Sequence, residues 1–214
     1  DQPPQGHQPG IQTRNVMHDD FGYDIPTECV PLPSRGVVYS FESALHGKET
    51  IDIKAMTAKE EDILTSRALI KKGTVITELI KSCIVDKNID VEEMLVGDRN
   101  AIMTAIRVTG YGADYPIEVD CPDCGESVKQ SFDLAQLAIK RLGVEPVAAG
   151  ANIFETTLPK TKKTVRFKFL TGFDERELMT ISERKKKQGK QTDSLVTERY
   201  NRQLVSVGSV TDKN

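Results

Sequence analysis

The sequence has no tryptophan, and aromatic residues make up only 6% of it. Single-stranded nucleic acid is held on aromatic stacking platforms, so that mode of binding has little to build on. A basic excess is missing too. Lys plus Arg number 29 against 32 Asp plus Glu, a net charge of −3, whereas proteins that track a phosphate backbone carry a positive surplus. No apolar run approaches the roughly 18 residues of a membrane span, and the N-terminus has no signal-peptide pattern. The three histidines, His7, His18 and His46, fall in Pro/Gly-rich or turn-like stretches, which leaves general acid–base catalysis few candidates. Phosphate loops, GxSxG elbows and HExxH helices do not occur. The chain reads as non-enzymatic, with no membrane and no nucleic acid among its partners.

Cysteine is sparse as well: Cys29, Cys83, Cys121 and Cys124. Without secretory features, a CxxC pair points to a reduced compartment and a metal rather than a disulfide framework. The pair lies in Asp120-Cys121-Pro122-Asp123-Cys124-Gly125, which has the build of a zinc knuckle. Gly125 accepts the positive φ that curls the backbone and aims both sulfurs at one centre. Tyr115 to Val119 alternates into the turn and Ser127 to Phe132 alternates out, so the motif sits in a β-hairpin. A thioredoxin-type CxxC would instead open a helix. Tetrahedral zinc needs four ligands, and Cys121 and Cys124 supply two. Cys83 falls on the apolar face of a helix and reads as a core thiol. Cys29, in a Pro/Gly-punctuated lead-in, is a weak donor candidate, and the histidines read as solvated. The remaining place for the missing ligands is beyond residue 214.

Along the chain, residues 1–28 are rich in Pro, Gly and Gln and read as an extended arm with little regular structure and few contacts to its own core. Val37 to Phe41 is expected to be a short strand, with Ile51 to Met56 as its antiparallel partner. Thr57 and Glu60 form a capping box for a helix to about Lys71, with Ile63, Ala68, Leu69 and Ile70 turned inward and Gly73 closing it. Loss of Glu60 is expected to cost less than loss of Thr57. The acidic run Glu60-Glu61-Asp62 suits a helix N-terminus. A second helix spans about 75–84 and a turn spans 91–95. A third helix is capped by Asp98, buries Ile102, Ala105 and Ile106, and ends at Gly110. After the knuckle hairpin, Asp133 caps a short helix over 134–142, and 143–151 reads as a linker. Residues 152–158 and 164–170 form a second hairpin. A box from Asp174 to Glu177 opens a helix carrying Leu178, Met179 and Ile181, and Arg184 to Lys190 is its solvated basic end. Another helix starts near Ser194, with a strand over 204–210. The predicted class is α+β: a small helical core with two β-hairpins and an extended N-terminal arm. The divisions are 1–28 for the arm, 29–142 for the helical core with the CxxC hairpin, and 152–214 for the second hairpin with its helices.

Several of these stretches occur together in a recognisable order. They are Leu32-Pro33-Ser34-Arg35-Gly36-Val37-Val38-Tyr39, then Ile53 through Leu64 with its Met56-Thr57-Ala58-Lys59-Glu60-Glu61-Asp62 centre, and then Gly97-Asp98-Arg99-Asn100. Tyr111-Gly112-Ala113-Asp114-Tyr115 follows, then the Cys121 to Gly125 knuckle with Phe132-Asp133-Leu134 behind it. Over residues 30 to 214 the chain resembles the baseplate hub protein family of T-even-type contractile-tailed bacteriophages. The resemblance implies a structural component of the virion tail baseplate, assembled in the host cytoplasm. Its partners would be other baseplate and tail proteins, in multiple copies of a symmetric assembly. It also implies that Cys121 and Cys124 are half of a zinc site completed by a second Cys-x-x-Cys further along. The start at Asp1 and the stop at Thr211-Asp212-Lys213-Asn214 fit a piece of a longer protein. Two other readings stay open: a tail assembly chaperone absent from the mature particle, and a zinc-ribbon module that binds nucleic acid.

Overall fold

Three antiparallel strands are the first strands among the described residues and set the floor of the core. In the computed structural model, which describes residues 13–18, 22, 24–188 and 195–211, β1 (Thr13–His18) pairs with β2 (Asp24–Pro31), and β2 pairs with β3 (Thr50–Lys54). The β2–β3 register sets Val30 opposite Ile51 and Glu28 opposite Ile53. With side chains alternating between faces, Ile51 and Ile53 point inward and Asp52 outward. The expectation of an extended arm with little regular structure and few contacts to its own core is therefore corrected for residues 13–18 and 24–28, where Thr27 is buried as well. Main-chain pairing of β1 to β2 and of β2 to β3 orders what composition alone would leave without partners. Residues 1–12 lie outside the described residues.

The expected strand at Val37 to Phe41 is also corrected. From 33 to 39 the backbone runs through turns, with the Arg35 amide donating to Leu32 O and the Gly47 amide to Gly36 O. Gly36 has φ +73°, and a Cβ there would lie 2.4 Å from the Lys48 nitrogen. The positive φ and that close approach both exclude a side chain. Val38, Tyr39 and Leu45 are buried from these turns instead of from a strand.

The first helical stretch breaks in two: α1 (Ala58–Thr65) and α2 (Arg67–Lys72), with Ser66 between them in extended geometry. Ser66 caps α2 by accepting the Leu69 amide, and Gly73 closes it at φ +69°. Because the axis is broken, Ala68 and Ile70 are exposed rather than inward. The capping box at Thr57 is present, but Glu60 is its buried member. Next come α3 (Val75–Cys83) and α4 (Val96–Tyr111). They bury Leu79, Ile80 and Cys83 from one and Ile102, Ala105 and Ile106 from the other. Asp98 lies inside the first turn of α4 and is not its N-cap, and α4 runs one residue past Gly110 to Gly112 as C-cap.

After α4 come β4 (Asp114–Asp120) and β5 (Ser127–Asp133). Asp133 accepts the Ala135 amide at 2.9 Å as a cap, but it opens a single 3-10 turn, Leu134–Gln136, and not a helix to 142. Beyond it the chain is extended, with the Leu142 amide donating to Pro33 O.

The second hairpin, β6 (Phe154–Thr157) and β7 (Thr164–Phe167), gains a third strand, β8 (Leu204–Val207). Between them lie α5 (Gly172–Lys187) and α6 (Leu195–Gln203). The box that opens α5 is Thr171 with Asp174, three residues upstream of the expected one. Leu178 is buried, whereas Met179 is exposed. Phe154 joins the core cluster with Ile53, Ile80 and Ile102, and Phe167 and Phe169 pack against it. Three rings meet here at centroid distances of 4.9 to 5.9 Å, Phe169 edge-on to the other two and Phe154 stacked on Phe167, arrangements that aromatic quadrupoles favour. The architecture is α+β, with antiparallel sheets and helices segregated along the chain.

Candidate functional site: the hairpin with the cysteine knuckle

The β4–β5 hairpin projects from the end of α4. Its base is fixed by the Leu134 amide donating to Ala113 O. Arg107 adds bonds from its guanidinium to Gly112 O and Asp114 O, and it lies over the Tyr111 and Tyr115 rings at 5.2 and 5.9 Å, a cation–π contact. The register pairs Tyr115 with Phe132, Ile117 with Gln130 and Val119 with Val128. Opposed residues share a face, so these six line one side. The other side is polar: Glu118 opposes Lys129, and the Ser127 and Ser131 hydroxyls donate to Asp120 and Asp114. Every residue of β5 is exposed, as is every residue of β4 except Ile117. The apolar side therefore faces solvent, with Tyr115, Val119, Val128 and Phe132 between 44% and 51% exposed.

At the tip the chain turns as the sequence requires. The Cys121 amide donates to Glu126 O and the Gly125 amide to Cys121 O, each at 2.9 Å, and Gly125 has φ +73°. Backbone amides of Cys124 and Asp123, then the Cys124 thiol, hydrogen-bond the Cys121 sulfur and hold its pKa below the ordinary thiol value. Donors aimed at a sulfur favour the thiolate, the form that ligates metal. Cys121 is half-buried and Cys124 exposed. The pair therefore fits the two-cysteine half of a tetrahedral site. Among the described residues, no group of three or more His, Cys, Asp or Glu side chains could hold a metal ion.

The other sulfurs are elsewhere. Cys83 is fully buried in α3, and burial followed by the Glu60 charge pushes its thiol up to about 11, which suits an inert core residue. Cys29 sits in β2 opposite Asp52. His46 bonds Tyr39 O through Nδ1 at 2.7 Å, its ring 4.5 Å from Phe41. His7 and the His18 side chain fall outside the described residues.

Two carboxylates matter more than the sequence disclosed. Glu60, read as part of an acidic helix start, is fully buried and accepts from Lys54 Nζ, Ser82 Oγ, the Thr57 hydroxyl and the Thr57 amide at 2.5 to 2.9 Å. Burial alone would raise its pKa, but these donors outweigh it and bring the carboxyl to about 2. Asp98 is equally buried. It accepts the Ser34 amide at 2.9 Å and the Tyr39 hydroxyl at 2.5 Å, and Tyr39 in turn accepts the Leu95 amide. Burial and then the Asp98 charge push the Tyr39 phenol far above its ordinary range. Both carboxylates bind internal donors and so organise the fold rather than present a reactive group.

No helix among the described residues is long and apolar enough to cross a membrane. No curated protein sequence and no solved structure matches the chain. A family model described as T4 bacteriophage base plate protein does match, over residues 37–148. The segment runs from the turns at Val37 through α1 to α4 and takes in the whole β4–β5 hairpin. That is more than half of the 214 residues, and the chain belongs to the T4 bacteriophage base plate protein family.

Proposed function

We propose that the chain is a non-enzymatic structural component of the hub region of the baseplate, built into the tail by protein–protein contacts and present in several copies of a symmetric assembly. In this reading zinc at Cys121 and Cys124 stiffens the tip of a docking hairpin. The observation that carries the proposal is the β4–β5 hairpin itself. It lies within the family segment, and it leaves one apolar face uncovered on a chain whose own core is filled by other elements. Contiguous apolar surface of this kind marks an interaction site. Two-stranded hairpins are marginal in water unless something packs on them. The buried carboxylates fit the same reading, since Glu60, Asp98 and Asp174 are each engaged by donors of the chain itself.

Purified tail particles test the proposal. Mass spectrometry should find the protein in finished particles, and a cryo-EM map should place the hairpin against a neighbouring subunit in the hub. Presence in assembly intermediates but absence from finished tails would assign the chain to assembly alone. A salt-dependent shift of nucleic acid by the pure protein would favour the zinc-ribbon alternative.

A further inference from the structure

We propose that Cys121 and Cys124 from two copies of this chain close one tetrahedral four-cysteine zinc site, and that the apolar face of the β4–β5 hairpin is buried between those copies; the inference rests on the zinc reading of the knuckle given above. The argument begins with ligand number. A structural zinc site takes four protein ligands, and the hairpin tip offers two sulfurs, with no third His, Cys, Asp or Glu grouped near them among the described residues. Among the described residues, the other cysteines and His46 are not grouped with the knuckle. Cys83 is sealed in the core, and Cys29 belongs to the β2–β3 ladder. His46 is bonded to the Tyr39 carbonyl. A two-fold axis repeats the same patch on both subunits. Two sulfurs become four without any new kind of ligand.

The surface beside the sulfurs points the same way. Val119 and Val128 are opposed pairs next to the knuckle, and Tyr115 and Phe132 continue the same face toward the base. All four are about half exposed in the single chain. An isologous contact that starts at the metal would cover this face on both copies. The charges decide whether such a contact forms unaided. Asp120, Asp123 and Glu126 surround the two cysteines, so two tips brought together repel, and only the zinc–sulfur bonds offset that repulsion. Binding converts four thiols to four thiolates around one divalent zinc and releases four protons to solvent. The association is thereby gated by metal.

The test uses the 214-residue chain, prepared metal-free and titrated with zinc, with metal content and sedimentation mass read on the same samples. The expected result is a zinc-dependent doubling of mass at about one zinc per two chains, as four ligands shared two by two require. Cys121→Ser and Cys124→Ser should each lose both the zinc and the dimer. The paired change Val119→Asp and Val128→Asp keeps all four sulfurs and should weaken the dimer at least tenfold. Circular dichroism confirms that each variant is folded. One zinc per monomer would overturn the shared site while leaving zinc at the knuckle intact. A folded protein that takes up no zinc would overturn both. A dimer that persists in metal-free protein or in Cys121→Ser would overturn the gating.

Discussion

Lys54 Nζ lies 2.7 Å from Glu60 Oε1, so the last residue of β3 is tied to the first turn of α1 through a carboxylate with no solvent exposure. Ser82 from α3 bonds the same oxygen, and the Thr57 amide and hydroxyl take the other. One side chain thus joins a strand and two helices. Removing Glu60 leaves Lys54 and Ser82 without their acceptor in a region shielded from water. Glu60→Ala should therefore destabilise the fold by about 3 kcal/mol, the usual scale for breaking a buried pair from one side. Thr57→Ala, which loses a cap, should cost about 1 kcal/mol. This reverses the order expected from the capping box alone. Urea unfolding of the two variants decides between them, and equal midpoints would show that the Glu60 cluster adds nothing beyond a cap.

The same cluster gives the acid limb of the stability curve a definite shape. The folded Glu60 carboxyl sits at about 2, below an unfolded value of about 4.3. A depressed folded pKa stabilises above the unfolded value and stops doing so as pH falls through the folded one. The contribution is fully present above about pH 5 and fades toward pH 2, amounting to about 3 kcal/mol at the pKa difference stated. Wild type should lose stability steeply across that window. Glu60→Gln should be less stable at neutral pH but flatter below pH 5, and parallel curves for the two proteins would mean that the slope arises elsewhere.

Tyr39 supplies a second joint. Its hydroxyl donates to Asp98 and accepts the Leu95 amide at 3.0 Å, both in the buried interior. Tyr39→Phe keeps the ring and deletes the joint, leaving a buried carboxylate oxygen and a buried amide short of a partner. The expected loss is about 2 kcal/mol, read as a lowered urea midpoint with an unchanged slope. A changed slope would instead report a loosened native state.

Gly36→Ala checks the turn that replaced an expected strand. The new methyl would meet the Lys48 backbone at 2.4 Å on a residue held at φ +73°. Backbone cannot swing aside as a side-chain tip can, so about 2 kcal/mol or more should be lost. Gly208→Ala is the control, with a positive φ of +60° but open space around it, and it should cost less. Equal losses would assign the whole effect to φ.

The order of elements was legible because local signals carry it. The alternation around Cys121 to Gly125 gave the β4–β5 hairpin, and the 3.6-residue spacing of Leu79, Ile80 and Cys83 gave α3. What escaped was pairing between distant segments. Nothing local to Asp24–Pro31 says that β3 is its neighbour, and that pairing turned part of an expected arm into a central strand. Glu60 and Asp98 were read from their own helix starts, Glu60 as a capping-box member and dipole partner and Asp98 as a cap. The box at Thr57 is present, but the further donors, Ser82 to Glu60 and Ser34 and Tyr39 to Asp98, come from 22, 64 and 59 residues away. The knuckle was legible as geometry but not as a complete site, because the chain's other cysteines lie in β2 and in the core.

The apolar face of the hairpin separates stability from assembly. Tyr115 and Phe132 oppose each other across the strands, and each is close to half exposed. A cross-strand pair of this kind is worth under about 1 kcal/mol on an open sheet face. Replacing both with Ser should therefore leave the thermal midpoint of the isolated chain within a few degrees of wild type. In a contact that covers this face, the same two rings would be central anchors, and such anchors typically cost more than about 2 kcal/mol when truncated. Tails assembled with the double variant should accordingly contain less of this protein, or the variant should be displaced by wild type when the two compete. Normal incorporation of a normally stable double variant would show that the hairpin's apolar face is not the surface by which the chain joins the baseplate.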